Sequence, residues 1–171
     1  MEELDVVEAM REIPHPVVII TSGNVDEGIV NAMTAAWVSR VSWNPPLIMV
    51  SVSPKRYTWE LLNRYREFGV NIISSDLARD AVEVFGSLSG RDYDKFRLSG
   101  RGFRRGVSIK APVLSDATVI LECVVEDTVK AGDHYIVVGR VVKAYRLRDG
   151  EPLVLLRGTI HSIGEEVYSY G

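Results

Sequence analysis

The last third of the chain constrains the fold most. Residues 117–164, "ATVILECVVEDTVKAGDHYIVVGRVVKAYRLRDGEPLVLLRGTIHSIG", read as strand, "AGD" turn, strand, "RDGEP" turn and strand. Strands joined by such short turns run antiparallel. Upstream, "VVIITS" and a strand from about Ile29 flank the turn chemistry of "SGNVDEG", and "LIMVSVS" and "GVNII" add two more strands. No strand–helix–strand alternation runs through the sequence. Six or seven strands with a few short flanking helices predict a mainly β fold, a closed or half-closed antiparallel barrel. A length of 171 residues suits one hydrophobic core, so 1–171 is expected to be a single domain.

Helical signals are short. Leu4, Val7 and Met10 predict an amphipathic helix within 2–11, ended by Pro14 and Pro16. Pro54 is placed to start a helix through 54–68, with Trp59, Leu62 and Tyr65 or Arg66 on one stripe, and "SSDLARDAVEVFG" is a capped helix with a glycine stop. "LIMVSVS" lacks polar alternation, which predicts burial on both faces. From Gly86 to Pro112 the chain has little periodicity and reads as a long functional loop or lid. Seven Lys or Arg stand against two Asp between Arg91 and Lys110, yet a net charge of -3 argues against a general nucleic-acid binder. No apolar run approaches the roughly 20 residues of a membrane span. The acidic opening "MEELDVVEAMREIP" lacks secretion-signal features and the single Cys123 cannot form an internal disulfide, so the cytoplasm is the expected compartment.

Chemistry concentrates in "NAMTAAWVSRVSWNPPLIMVSVSPKRYTWELL", residues 31–62. Ala32, Ala35 and Ala36, with Asn31, Met33 and Thr34 among them, are small enough to admit a flat ligand against backbone N–H groups; a β-bulge or tight strand packing would ask for the same residues. At the other end, Ser53, Lys55, Arg56, Tyr57 and Thr58 bring cations and hydroxyls to a helix start, where free N–H groups attract an anion. The alternative is a capped helix with a solvated basic first turn, although Lys and Arg belong electrostatically at a helix's other end. Together the halves suit one ligand with a planar polar ring and a phosphate, reaching across a strand of roughly 20 Å at most. Neither G-x-x-x-x-G-K-[ST] nor G-x-G-x-x-G behind a strand is present, which closes the P-loop and Rossmann routes.

That segment, with "FGVNIIS" and the later "VFG", "DKF" at 94–96, and "AGDHYIVVGRVV" before "PLVLLRG", resembles the flavin reductase-like family of FMN-binding split barrels. The family includes NAD(P)H:flavin oxidoreductases, ferric reductases and flavoredoxin-like electron carriers, and the likeness runs from about Pro14 to Gly164. It implies a homodimer of antiparallel Greek-key split barrels binding FMN, or FAD in its place, through Asn31, Ala32, Met33, Thr34, Ala35, Ala36, Val50, Ser51, Val52, Ser53, Lys55, Arg56, Tyr57 and Thr58, with Phe85 of the "VFG". The "GDH" turn matches Gly132, Asp133 and His134, which places His134 near flavin or nicotinamide as the catalytic candidate; the bland alternative is a turn histidine satisfying a nearby carbonyl. The activity implied is hydride transfer from NADH or NADPH onto flavin, with electrons passed to free flavin, a ferric chelate, an oxidoreductase or a monooxygenase partner. A permanent FMN electron carrier and a non-redox flavin- or nucleic-acid-binding module remain open. The chain lacks a clear NAD(P)H fingerprint and its 91–110 stretch is unusually basic: Arg101, Arg104 and Arg105 suit a 2′-phosphate or pyrophosphate, or a solvated charge run.

Other residues point away from chemistry. Cys123 shares a strand face with Val119, Leu121 and Val125 and is expected to be a buried inert thiol. His15 and His161 have no Cys or carboxylate at ligand spacing, so no metal is expected. Trp37, Trp43 and Trp59 read as core or dimer contacts, with Trp37 close enough to the ring site to stack there. "EEVYSYG" at the end is expected to be a surface tail or a segment crossing to a partner subunit.

Overall fold

Asn24 and Gly28 turn the first strand back on itself. The Asn24 side chain accepts from Asp26 N at 3.0 Å and starts a 3-10 turn, Val25–Glu27, which Gly28 leaves at φ 70°, a left-handed conformation that glycine adopts without strain. The hairpin pairs β1, His15–Asn24, with β2, Ile29–Ala35. A computed structural model describes residues 1–169 of the chain. The strands that follow are β3, Val38–Ser42, β4, Leu47–Val52, and β5, Glu67–Ile72. A small separate pair, β6, Phe103–Arg105, and β7, Pro112–Leu114, precedes the long hairpin of β8, Val119–Ala131, and β9, His134–Arg146. β10, Leu153–Leu156, and β11, Thr159–Ser162, close the series.

All ladders are antiparallel, in the order β2-β1-β5-β8-β9-β4-β3, with β10 and β11 continuing from the first residues of β1. Among the described residues no ladder joins β2 to β3. They are linked through Ala36 and Trp37, where Trp37 O accepts from Ser51 N at 2.9 Å, and the barrel is split at that point. The crossover from β4 back to β5 beside β1 makes the connectivity Greek-key, and the antiparallel split barrel with short helices is the fold found.

Two cores share β1. Val18 and Ile20 point into the barrel with Met33, Val50, Phe68 and Val125, while Val17 and Ile19 point outward onto Leu77, Phe85, Phe96 and Leu114. Burial on both faces explains the unbroken apolar run of "VVIITS". "LIMVSVS" differs from expectation: Ile48, Val50 and Val52 are buried but Leu47, Met49 and Ser51 are half-buried, so the described residues cover the outer face of β4 only in part. Helix α2, Tyr57–Tyr65, buries Thr58, Leu61 and Leu62, of which Leu62 joins the barrel core, and Trp59 stacks on Tyr135 at 4.1 Å between centroids. It ends before residues 67 and 68, which join β5 because Phe68, fully buried in the barrel, lies against Gly139 and Cys123. Arg66, at φ 59°, makes the turn.

The second helix, α3, spans 75–86 and passes from 3-10 (Ser75–Leu77) through one α turn (Ala78–Asp80) to a π turn (Ala81–Gly86). The stretch after it is not the structureless loop expected. It holds α4, Lys95–Ser99, and the β6–β7 pair, buries Phe96 and Ile109, and is fastened by ion pairs of Arg101 with Asp80 (2.6 Å), Arg105 with Asp26 (3.2 Å) and Arg91 with Glu60 (3.3 Å). Glu122, fully buried, accepts from Val107 N (2.7 Å), Ser108 N (2.6 Å) and Tyr145 Oη (2.7 Å) and pins the end of the stretch to β8. The basic run is therefore a folded wall rather than a free charged loop.

The termini depart least from sequence. The first helix, α1, is only Val6–Met10, capped by Asp5, and buries none of its residues. Residues 163–169 are exposed without regular structure, and Tyr170 and Gly171 of the expected tail lie outside the described residues.

Candidate flavin site

Two adjoining cavities lie where β2, β4 and the start of α2 meet. The larger, about 480 Å³, is lined by Asn31, Met33, Ser53, Lys55, Arg56, Tyr57, Thr58, the 87–90 segment, Lys95 and His134. The smaller, about 220 Å³, is lined by Met33, Thr34, Ala35, Ala36, Trp37, Ser51, Val52, Ser53, Arg56 and His134. Met33, Ser53, Arg56 and His134 border both, so the pair forms one elongated recess.

The small-residue shelf follows from strand pairing. β2 pairs with β1 along one edge, which leaves the other edge with free N–H and C=O groups. Ala32 O on that edge accepts from Lys95 Nζ at 2.8 Å, and the two-residue repeat puts the polar groups of Thr34 and Ala36 on the same side. Thr34 Oγ1 donates to Ala81 O at 2.5 Å, which fixes the shelf against α3. Trp37 and His134 wall the ring-sized end, their centroids 4.8 Å apart. His134 Nδ1 lies 2.8 Å from Asp133 Oδ1, and that imidazole, by hydrogen bond first and by charge second, holds the Asp133 carboxyl below the usual range.

The helix start forms the other end. Arg56 is the N-cap residue of α2 and its side chain makes no capping bond; instead Nη1 donates to Gly86 O at 3.2 Å. Of the first-turn N–H groups, that of Trp59 donates to Arg56 O at 3.0 Å, while Tyr57 and Thr58, which precede the helical ladder, line the same recess as Lys55 and Arg56. Asn31 Nδ2 donates to Thr58 Oγ1 (2.9 Å) and Ser22 Oγ (3.3 Å), while Asn31 Oδ1, on a residue 2% exposed, has no partner. Gly90 lies so close to that oxygen that a Cβ would collide with it and stand 3.1 Å from Tyr57 Cδ1. No carboxylate lines either cavity, whereas Lys55, Arg56 and Lys95 all do.

The candidates from sequence come together unequally. Asn31, Met33, Thr34, Ala35, Ala36, Ser51, Val52, Ser53, Lys55, Arg56, Tyr57, Thr58 and His134 border the recess. Ala32, Val50 and Phe85 border neither cavity: they are fully buried, Val50 in the barrel and the other two in the outer core. Ala32 and Phe85 contribute through the main chain, since their carbonyls hold Lys95 Nζ at 2.8 and 3.1 Å. Lys95 and the 87–90 wall have no assigned role in the sequence reading. "DKF" was the available signal: Asp94 caps α4, Phe96 is buried and Lys95 is turned inward between them.

Residues 10–164 match the family described as flavin reductase like domain. The chain belongs to that family. This flavin reductase-like chain is 32% identical over 157 residues to an NADH-dependent flavin reductase from Rhodococcus sp, 91% of this chain and 84% of that protein. A relative from Aeropyrum pernix is 31% identical over 143 residues, 83% of this chain, and the match spans only 54% of that longer protein. Among solved structures, an FMN-binding protein from Thermus thermophilus with bound 1-cyclohex-2-enone superposes with a TM-score of 0.82 at 26% identity, over 99% of this chain and 97% of that one. BorF, the flavin reductase component of a bacterial two-component tryptophan halogenase, gives 0.79 at 28% identity, over 94% and 98%. Among the described residues of this flavin reductase-like domain, no helix is long and apolar enough to cross a membrane.

Proposed function

We propose that the chain is an NADH-dependent flavin reductase that binds FMN in the double recess. One observation carries the reading: an open recess holds three cationic side chains, of which Lys95 is buried and Lys55 and Arg56 are exposed, with an unsatisfied amide oxygen and a helix start, no carboxylate in its wall and a shelf of small residues at its far end. Such a wall suits a ligand with an anionic terminus, a hydroxylated middle and a planar polar ring. Ser53, Lys55, Arg56 and Thr58 would hold the phosphate, Asn31 Oδ1 a ligand hydroxyl, and the free edge of β2 the polar rim of the ring. Bound there, the flavin supplies two-electron acceptance from a nicotinamide and onward transfer. Trp37 and His134 border the ring-sized end, and His134 positions the donor.

The donor NADH is the one named for the Rhodococcus relative. The acceptor is free flavin, a ferric chelate or a partner oxygenase, the last in line with the two-component system to which BorF belongs. A second copy of the chain would cover Trp37, Val41 and Trp43, which stand 47%, 52% and 78% exposed along the split beside the recess. The basic 91–110 stretch does not favour nucleic acid, because Arg91, Arg101 and Arg105 are already paired with carboxylates of the same chain.

Absorption spectra of the purified protein titrated with FMN, then with NADH, test the reading. A saturable shift in the flavin bands and catalytic NADH oxidation with FMN in excess are expected. Binding without turnover would identify an electron carrier, and failure to bind FMN would remove the proposal.

A further inference from the structure

Among the described residues, Asn31 Oδ1 is the one buried side-chain polar atom without a hydrogen-bond partner. Main chain covers it. A Cβ on Gly90 would collide with this oxygen and stand 3.1 Å from Tyr57 Cδ1, so only glycine lets the segment lie so close. An acceptor that has lost its water and gained no donor is costly, and a ligand hydroxyl would relieve that penalty. Such a hydroxyl must stand about 2.8 Å from the oxygen, in space that Gly90 now fills.

Gly90 belongs to a strap, residues 87–92, that joins α3 to α4 along the edge of the recess. Its main-chain bonds stay local: Leu88 N donates to Val84 O at 3.2 Å and Asp92 N to Ser89 O at 3.2 Å. Among the described residues, no main-chain bond ties the strap to β2 or to α2. One side chain makes the polar link across. Arg91 Nη1 donates to Lys55 O at 3.0 Å, Nη2 donates to Glu60 Oε2 at 3.3 Å, and the guanidinium lies 5.4 Å from the Tyr57 ring centroid. Arg91 and Glu60 are 42% and 60% exposed, which makes the pair a weak fastening, and Arg91 lines neither cavity.

We propose that residues 87–92 form a self-masking strap: in the free protein Arg91 latches it over Asn31 Oδ1, and the strap lifts for a ligand hydroxyl to take that oxygen. The proposal rests on the flavin reading above for the identity of the ligand. The latch is an autoinhibitory contact, because apparent affinity falls with the fraction of molecules whose strap is open. Its sign is opposite to that of an arginine that contacts the ligand.

Arg91→Ala releases the strap and leaves the recess lining in place. Losing an exposed ion pair and one hydrogen bond to a carbonyl should tighten FMN and riboflavin binding alike, about three- to tenfold, through faster association in stopped flow. Glu60→Gln should shift both in the same direction by less. Unchanged or weaker FMN binding in Arg91→Ala overturns the proposal. A second readout needs no flavin. Asn31→Cys puts a thiol beneath Gly90, and its labelling by DTNB in the apoprotein should run several-fold faster when Arg91→Ala is added, while buried Cys123, whose thiol desolvation pushes up to about 12, stays silent. Equal labelling rates with and without the latch overturn the proposal as well. If the cysteine variant melts early, the flavin titrations decide; if the wild-type protein binds neither flavin, the flavin reading fails and thiol labelling alone decides whether the strap opens.

Discussion

Arg56→Ala should weaken FMN binding by one to two orders of magnitude while leaving the fold intact. In the free protein Arg56 Nη1 has one partner, Gly86 O at 3.2 Å in an exposed contact, so its removal costs stability no more than about 1 kcal/mol. In the recess the same residue borders both cavities beside Tyr57 and Thr58, at the start of α2. A charge-assisted bond to phosphate is worth about 1.5–3 kcal/mol, equivalent to roughly 10- to 100-fold in Kd. Arg56 also holds down the Lys95 pKa, second to burial. Without it Lys95 keeps its proton to higher pH, so the deficit should be largest near pH 7 and narrow by pH 9. Titrating FMN with apoprotein at both pH values, in about 0.1 M salt, reads both effects. A Kd within twofold of wild type at pH 7, in a variant that melts normally, refutes the phosphate site.

Glu122→Ala removes a fully buried acceptor from the N–H groups of the exposed residues Val107 and Ser108 and from the half-buried Tyr145 hydroxyl and should cost about 1–3 kcal/mol in urea denaturation; a loss under about 0.5 kcal/mol would show that 106–109 is held by packing alone. His134→Ala should slow reduction of bound flavin by NADH in stopped flow more than it weakens flavin binding, and an unaltered rate would reduce His134 to a turn residue beside Trp37. For Lys95, the folded pKa of about 8 lies below the ordinary 10.5, so between those values the unfolded chain binds more protons and apoprotein stability rises with pH. The rise approaches about 3 kcal/mol across the window and should vanish in Lys95→Met; parallel stability profiles from pH 7.5 to 10 would refute it.

The main hairpins and the barrel class were legible because they depend on local signals, turn chemistry at Asn24–Gly28 and Gly132 and apolar runs of strand length, whereas the strand order came only from the structure. The hairpin between β10 and β11 was missed, since its turn is Arg157–Gly158 with both φ values positive and arginine does not advertise that conformation. The stretch 86–112 looked structureless because its order comes from distant partners: Asp80 for Arg101, Asp26 for Arg105 and Glu122 for the amides of Val107 and Ser108. At the site, residue type was enough to single out Asn31, Thr34, Arg56 and Thr58, whose chemistry is local to a strand edge and a helix start. Which lysine would be buried, and which alanine would face the core rather than the recess, was not written locally. Lys95 becomes a recess residue only when α4 packs on the free edge of β2, sixty-odd positions away in the chain, and Ala32 turns from the recess because strand alternation sends its methyl into the outer core. Sequence alone determined the main hairpins and the kinds of chemistry available to the chain; tertiary packing ordered the remaining elements and decided which charges lost their water and which polar atoms lost their partners, because desolvation depends on neighbours that are close in space and remote in sequence.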